Sequence, residues 1–325
     1  MRGRAALLAL CALALAGCGQ RSTSLSTGTP QPMRVAVTFP NAAEAPIYAA
    51  KATTGFRESG LKVSLIQEGD GAAAIRDLNS GKVDLAVSTA PDLLEARDRG
   101  ARVVAVGALV QRPLSAVISL RATGHGKGRG LAALASKPVG TMGFDYQAAF
   151  AEAAFPHSKV KKLGSDVERP LLAGTVGAVV GYSNYQGIDL TRLGKHPQVV
   201  SVDKHGVPSY PELVLVANED ALARDARPIR AFVGALARSS HGLRRRERAQ
   251  VAGWVGANPK IPKPLQTQAL AFTLPLAVPP AGRPFGWQDA GSFTRLAAWM
   301  RGKGLLKRAP ASPPFTNTYL PGQGL

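Results

Sequence analysis

Cysteine is almost missing from this 325-residue chain: there are two, Cys11 and Cys18, both inside the first eighteen residues. A disulfide framework and a cysteine-rich metal site are therefore excluded. Acidic side chains are few, 21 against 40 Lys plus Arg, and the formal charge is +19. Aromatic residues make up only 6% of the chain. The five histidines (His125, His157, His196, His205 and His241) stand singly, without metal-ligand spacing. No Gly-x-Ser-x-Gly, P-loop or paired-carboxylate motif is present, so the common hydrolytic and nucleotide-dependent classes have no motif support. Composition and the lack of periodic repeats exclude collagen, coiled coil and a multispan membrane protein. What is present is 45% apolar residues with 35 glycines and 24 prolines, enough for a sizeable core cut by many turns. The length suits two lobes better than one.

The chain opens with Arg2 and Arg4, followed by an apolar run from Ala5 to Ala16. That run is too short to span a bilayer, which needs about 20 residues, and fits the core of a secretory leader. It ends Leu15-Ala16-Gly17-Cys18, the pattern of a bacterial lipoprotein signal. Residues 1–17 are thus expected to be removed, with Cys11 discarded and Cys18 acylated. Gly19 to Met33 is rich in Ser, Thr, Gly, Pro and Gln; residues 18–33 read as a tether of about 20 Å r.m.s. reach. The protein is expected outside the cytoplasm, held at a bacterial membrane by its lipid.

Beyond the tether, period-two strands alternate with helical segments. Strands are expected at Met33–Phe39, Leu61–Ile66, Val83–Val87, Val103–Val110 and Ser115–Leu120, and helices at Ala42–Thr53, Ala72–Ser80 and Asp92–Arg99. After a basic, Gly-rich stretch (Gly124–Gly130) the pattern restarts, with strands near Pro138–Met142, Val160–Leu163, Ala178–Tyr182 and Val199–Val202. Leu213–Ala217 is strongly apolar and leads into a long helical stretch. The alternation predicts α/β architecture: two lobes, each a mixed, mostly parallel sheet with flanking helices, and a cleft between them. The expected division is 34–120 for the first part of lobe 1, 121–216 for an inserted lobe 2, and 217–325 for the return to lobe 1. The crossings would then lie near Leu120 and Ala217.

Four stretches carry a resemblance: Phe39-Pro40-Asn41-Ala42-Ala43-Glu44-Ala45-Pro46-Ile47-Tyr48; Leu78-Asn79-Ser80-Gly81-Lys82-Val83-Asp84; Gly181-Tyr182-Ser183-Asn184-Tyr185-Gln186-Gly187; and Phe315-Thr316-Asn317 in the tail. Together they resemble the type II periplasmic binding proteins that serve ABC importers, in the group binding thiamine pyrimidine precursors. That group is related to sulfonate, nitrate and riboflavin binders and to the yeast enzyme that makes the thiamine pyrimidine. The resemblance implies capture of a small heteroaromatic solute by lobe closure, delivery to a permease with its ATPase, a monomeric protein, no cofactor and no catalysis.

In open α/β sheets ligands bind beyond the carboxyl ends of strands. The first lobe offers Thr38, Phe39, Asn41, Ser88, Thr89 and Gln111 there, with Tyr48 on the first helix. The second offers Met142, Gly143, Phe144, Asp145, Tyr182 and Tyr185. Rings and neutral polar groups suit a flat heterocycle, stacked on its faces and read at its edge. By position alone Asn41, Ser88 and Asp145 serve equally well as caps or turn residues, and the tyrosines as core. Gly69-Asp70-Gly71 reads first as a tight turn, and the resemblance also places it at the cleft mouth. The family pattern also places a tryptophan near Thr38, an acid at Gln186 and, in pyrimidine binders, a histidine at Glu44. Those departures leave Glu44 and Gln186 as candidate ligand contacts of altered chemistry. The run Arg244-Arg245-Arg246-Glu247-Arg248 has no interleaved aromatic platform, and reads as a solvated helix face rather than a nucleic-acid site.

Overall fold

The computed structural model describes residues 29–38, 41–120, 137–243, 248–255 and 261–322. The leader, Cys18, Phe39, the Gly124–Gly130 stretch and Arg244–Glu247 lie outside the described residues. The chain runs β1 (Gln31–Val37), a 3-10 turn (Ala42–Glu44), α1 (Ala45–Ala52), α2 (Gly55–Glu58), β2 (Leu61–Gln67), α3 (Gly71–Asn79), β3 (Leu85–Thr89), α4 (Ala90–Asp98) and β4 (Val103–Val110). It continues with β5 (Ser115–Leu120), β6 (Val139–Thr141), α5 (Asp145–Ala154), β7 (Val160–Lys162), α6 (Glu168–Leu172), β8 (Ala178–Tyr182), α7 (Gln186–Arg192) and β9 (Pro197–Ser201). The last stretch holds β10 (Leu213–Asn218), α8 (Glu219–Arg224), α9 (Arg227–Leu243), α10 (Arg248–Val255), α11 (Lys263–Thr273) and α12 (Ala290–Gly302).

Two five-stranded sheets result, ordered β2-β1-β3-β10-β4 and β7-β6-β8-β5-β9. In each, one strand (β1 or β6) pairs in parallel with both its neighbours, while the strand arriving from the other lobe, β10 or β5, runs antiparallel to both of its own. This is the expected two-lobed α/β class. The boundaries differ from expectation. β5 belongs to the second sheet and β10 to the first, so the chain crosses at 111–114 and again at 202–212, not near Leu120 and Ala217. Both strands are almost wholly buried, and an apolar run of this kind reads the same in either sheet. Gln31–Met33, expected in the tether, already pair with Leu61–Val63 as the start of β1.

Local chemistry sets the strand ends that matter for the cleft. Thr89 caps α4 by accepting from the Asp92 N–H, with Pro91 in the first turn; Asp70 caps α3 by accepting from the Ala73 N–H at 2.7 Å. β3, inside the sheet, and β4, at its edge, are both buried along their full length. The tail then closes β4: Ala105 bridges to Phe315, and Gln288 and Asn317 hydrogen-bond to hold the turn there. The Phe-Thr-Asn element thus covers a sheet edge.

Candidate functional site

Between the lobes, at the carboxyl ends of β1, β3, β6 and β8, lies a cavity of about 360 Å³. Lobe 1 contributes Thr38, Asn41, Asp70, Gly71, Thr89, Asp92 and Leu213; lobe 2 contributes Met142, Phe144, Tyr146, Ser165, Tyr182, Asn184 and Tyr185; the crossings contribute Leu114 and Glu212. The volume is at the small end of ligand pockets, right for a single-ring solute. A larger hollow of about 450 Å³ between α12 and residues 309–315 is walled mainly by Ala and Pro, with Arg301 the one charged lining residue among those described. It lacks convergent polar groups.

Aromatic walls come from lobe 2. Phe144 and Tyr146 stack at 5.5 Å between ring centroids with planes 3° apart, and Tyr182 completes that side. Gly143, at φ +112°, makes the turn that presents Phe144, a conformation L side chains avoid. Lobe 1 supplies an acidic floor. Asp92 is 4% exposed; its Oδ2 accepts from Thr89 Oγ1 at 2.8 Å, and burial pushes its pKa up to about 7. Gly71 allows α3 to approach this carboxyl: a Cβ there would lie 2.7 Å from Asp92 Oδ2 and 2.5 Å from Ser88 Oγ.

Glu212 sits on the second crossing and ties it to the first. Its carboxylate accepts from the Leu114 N–H (2.7 Å), the Ser115 N–H (2.9 Å), Ser115 Oγ (2.9 Å) and the Tyr210 hydroxyl (3.3 Å). Burial raises its pKa against the pull of these donors. Three carboxyl groups, Asp70, Asp92 and Glu212, thus line the cavity, and among the described residues no Lys, Arg or His does. No group of three His, Cys, Asp or Glu placed to hold a metal occurs among the described residues.

Several expected contacts are placed elsewhere. Glu44 is fully buried behind the loop, where its Oε1 accepts from both the N–H (3.0 Å) and the hydroxyl (2.8 Å) of Thr38. Burial pushes its pKa up to about 7, and it positions Thr38 instead of facing the cavity. Tyr48 packs in an apolar cluster with Ala45 and Ala49. Ser88 is buried behind Gly71, and Gln111 gives its N–H to the Leu276 carbonyl, away from the cleft. Gln186 opens α7 and turns inward, its Oε1 accepting from the Tyr182 N–H at 2.8 Å. Asp145 pairs on the surface with Lys162 at 3.2 Å.

Tyr185 does reach the cleft, but as a bridge between the lobes. Its hydroxyl accepts from the Ala42 N–H at 2.9 Å and donates to Gln266 Oε1 at 2.7 Å. Beside it, Asn184 Nδ2 donates to Thr273 Oγ1 at 2.9 Å. Asp92, Tyr146, Asn184 and Glu212 were not among the expected contacts. Asp92, directly after Thr89-Ala90-Pro91 at a strand end, carried a usable signal; a buried acid beside a hidden crossing, like Glu212, carried none.

A sequence profile of the family described as NMT1/THI5 like matches residues 41–244. The formylaminopyrimidine-binding protein of Halalkalibacterium halodurans is 26% identical over 271 residues, covering 81% of this chain and 82% of that one. A 4-amino-5-hydroxymethyl-2-methylpyrimidine phosphate synthase of Aspergillus parasiticus is 24% identical over 212 residues, 60% of this chain and 61% of that one. Among solved structures, the periplasmic aliphatic sulphonate binding protein of Escherichia coli superposes with a TM-score of 0.68 at 18% identity, over 86% of this chain and 94% of its own. The last comparison is one of fold.

Proposed function

Since the chain belongs to the NMT1/THI5-like family, we propose that it is the extracytoplasmic solute-binding component of an ABC importer and that it captures an aminopyrimidine of the thiamine-precursor type. The carrying observation is the cleft itself: ring-walled by Phe144, Tyr146 and Tyr182, edged by Asp70, Asp92 and Glu212, and lined by no cation among the described residues. An aminopyrimidine offers two faces for stacking and N–H donors at its edge, and carboxylates are acceptors. Sulfonate and nitrate carry negative charge into a site that already holds three carboxyl groups; the cost of such like-charge burial argues against them. Riboflavin presents carbonyl acceptors to the same carboxyl groups and is large for about 360 Å³.

Capture, not turnover, fits the residue set. Glu44, at the position given to histidine in the family pattern, is held on Thr38 and offers no acid or base to the cavity. The Leu15-Ala16-Gly17-Cys18 run supports export and lipid anchoring through Cys18, and the two crossings beside Glu212 support lobe closure as the capture step. A thermal-shift panel tests the reading, because a ligand that binds only the folded state raises the melting temperature by mass action. Aminopyrimidines are expected to raise it. A rise with alkanesulfonate or nitrate, and none with any aminopyrimidine, overturns the assignment.

A further inference from the structure

Two acceptors in the cleft, Asp92 and Asn184, with the field of Glu212 beside them, are placed for a ligand that brings more than neutral N–H groups. Asp92 has one oxygen on the Thr89 hydroxyl and forms no ion pair with any described residue. The neighbouring Arg99 is turned to Glu95, at 3.4 Å, and its side chain is largely exposed. Glu212 adds a second carboxyl, but its oxygens are already taken by four protein donors, so it contributes field rather than contact. Asn184 supplies the second available acceptor. Thr273 spends its hydroxyl proton on the Ala269 carbonyl at 2.7 Å, so it can only accept from Asn184, which must turn its amide nitrogen there. Asn184 Oδ1 is thereby left as an acceptor; the residue is 1% exposed, lines the cavity, and this oxygen has no hydrogen-bond partner.

A carboxyl held out of water without a counter-ion is unfavourable when ionised, and among the described residues no cation lines the cavity. An ammonium carried by the ligand removes that penalty; a formamide or a hydroxyl at the same place brings no charge. Resting on the aminopyrimidine reading, we propose that this chain selects a pyrimidine with a free, protonated aminomethyl arm over its N-formyl and hydroxymethyl counterparts, with Asp92 as counter-ion to the ammonium and Asn184 Oδ1 as acceptor for the ring amino group. Lobe closure then brings the two reading groups together, since Asp92 belongs to lobe 1 and Asn184 to lobe 2. Burial, which holds Asp92 near 7, lets it ionise as the cation enters.

Calorimetry at neutral pH with three probes tests this: 4-amino-5-aminomethyl-2-methylpyrimidine, its N-formyl derivative and the 5-hydroxymethyl analogue. The wild type is expected to bind the amine at least about tenfold tighter than either neutral probe, the margin of a charge-assisted hydrogen bond. Asp92→Asn, which keeps an acceptor for Thr89, is expected to bring the three dissociation constants within about threefold by weakening the amine. Asn184→Ala is expected to weaken all three, because all share the ring amino group. A neutral probe that binds the wild type as tightly as the amine overturns the proposal, as does a preference that survives Asp92→Asn or full affinity in Asn184→Ala. If none of the three binds, the aminopyrimidine reading falls with it; if a neutral probe binds best, that reading stands and only this selectivity is wrong.

Discussion

Replacing Asp92 with Asn should flatten part of the pH dependence of stability in the ligand-free protein. In the folded chain Asp92 is pushed from its ordinary 3.8 up to about 7, chiefly by burial. A carboxyl with a raised folded pKa contributes stability fully below its unfolded value, near pH 4, and loses it as pH rises through about 7. Between pH 5 and pH 7 the unfolded chain has already released this proton while the folded chain keeps it. Over about two pH units that amounts to roughly 3 kcal/mol lost by pH 8, at 1.36 kcal/mol per unit. Asparagine keeps an acceptor for the Thr89 hydroxyl at the same place and removes the titration. Urea unfolding of the wild type and Asp92→Asn at pH 5 and pH 8 measures the difference. With a slope of about 3 kcal/mol/M, the wild-type midpoint should fall by about 1 M more than that of the variant. Parallel pH slopes in the two proteins would refute the argument, because they would mean that Asp92 is solvated in the folded state.

Two further outcomes rest on the geometry and a third on the leader sequence. Glu44→Gln should remove a second share of the same pH dependence, since burial also lifts Glu44 to about 7; an unchanged slope counts against its burial behind Thr38. Tyr185→Phe loses the hydrogen bonds to Ala42 and Gln266 that bridge the lobes, at about 1–3 kcal/mol, so the ligand-free protein should show a larger radius of gyration by X-ray scattering; an unchanged radius means these bonds do not hold the lobes together. Cys18→Ser should move the protein from the membrane fraction to a soluble or unprocessed pool, and palmitate labelling that persists in this variant removes the lipid-anchor reading.

The helix–strand alternation placed most of the elements lining the cleft from local pattern alone. β4, β5 and β8 have the bounds that hydrophobic periodicity predicts, and Asn41 caps the 3-10 turn that opens the segment expected as a helix over Ala42–Thr53. Periodicity succeeds there because burial along a strand or helix is written into consecutive residues. Sheet membership is not written that way. β5 joins the second sheet through the pairing of Ser115 with Tyr182, and β10 joins the first by pairing Leu213 with Thr89, contacts that no local window contains. The acidic character of the cleft depends on the same long-range geometry. Gln186 and Glu44 look like site residues in one dimension, yet the folded chain turns them onto Tyr182 and Thr38. Asp92, Asn184 and Glu212 reach one cavity only because β3, β8 and the second crossing end side by side. Composition and local pattern thus determined a two-lobed α/β protein with ring-bearing strand ends. Tertiary pairing alone decided that carboxyl groups, unaccompanied by any described cation, face the space between them.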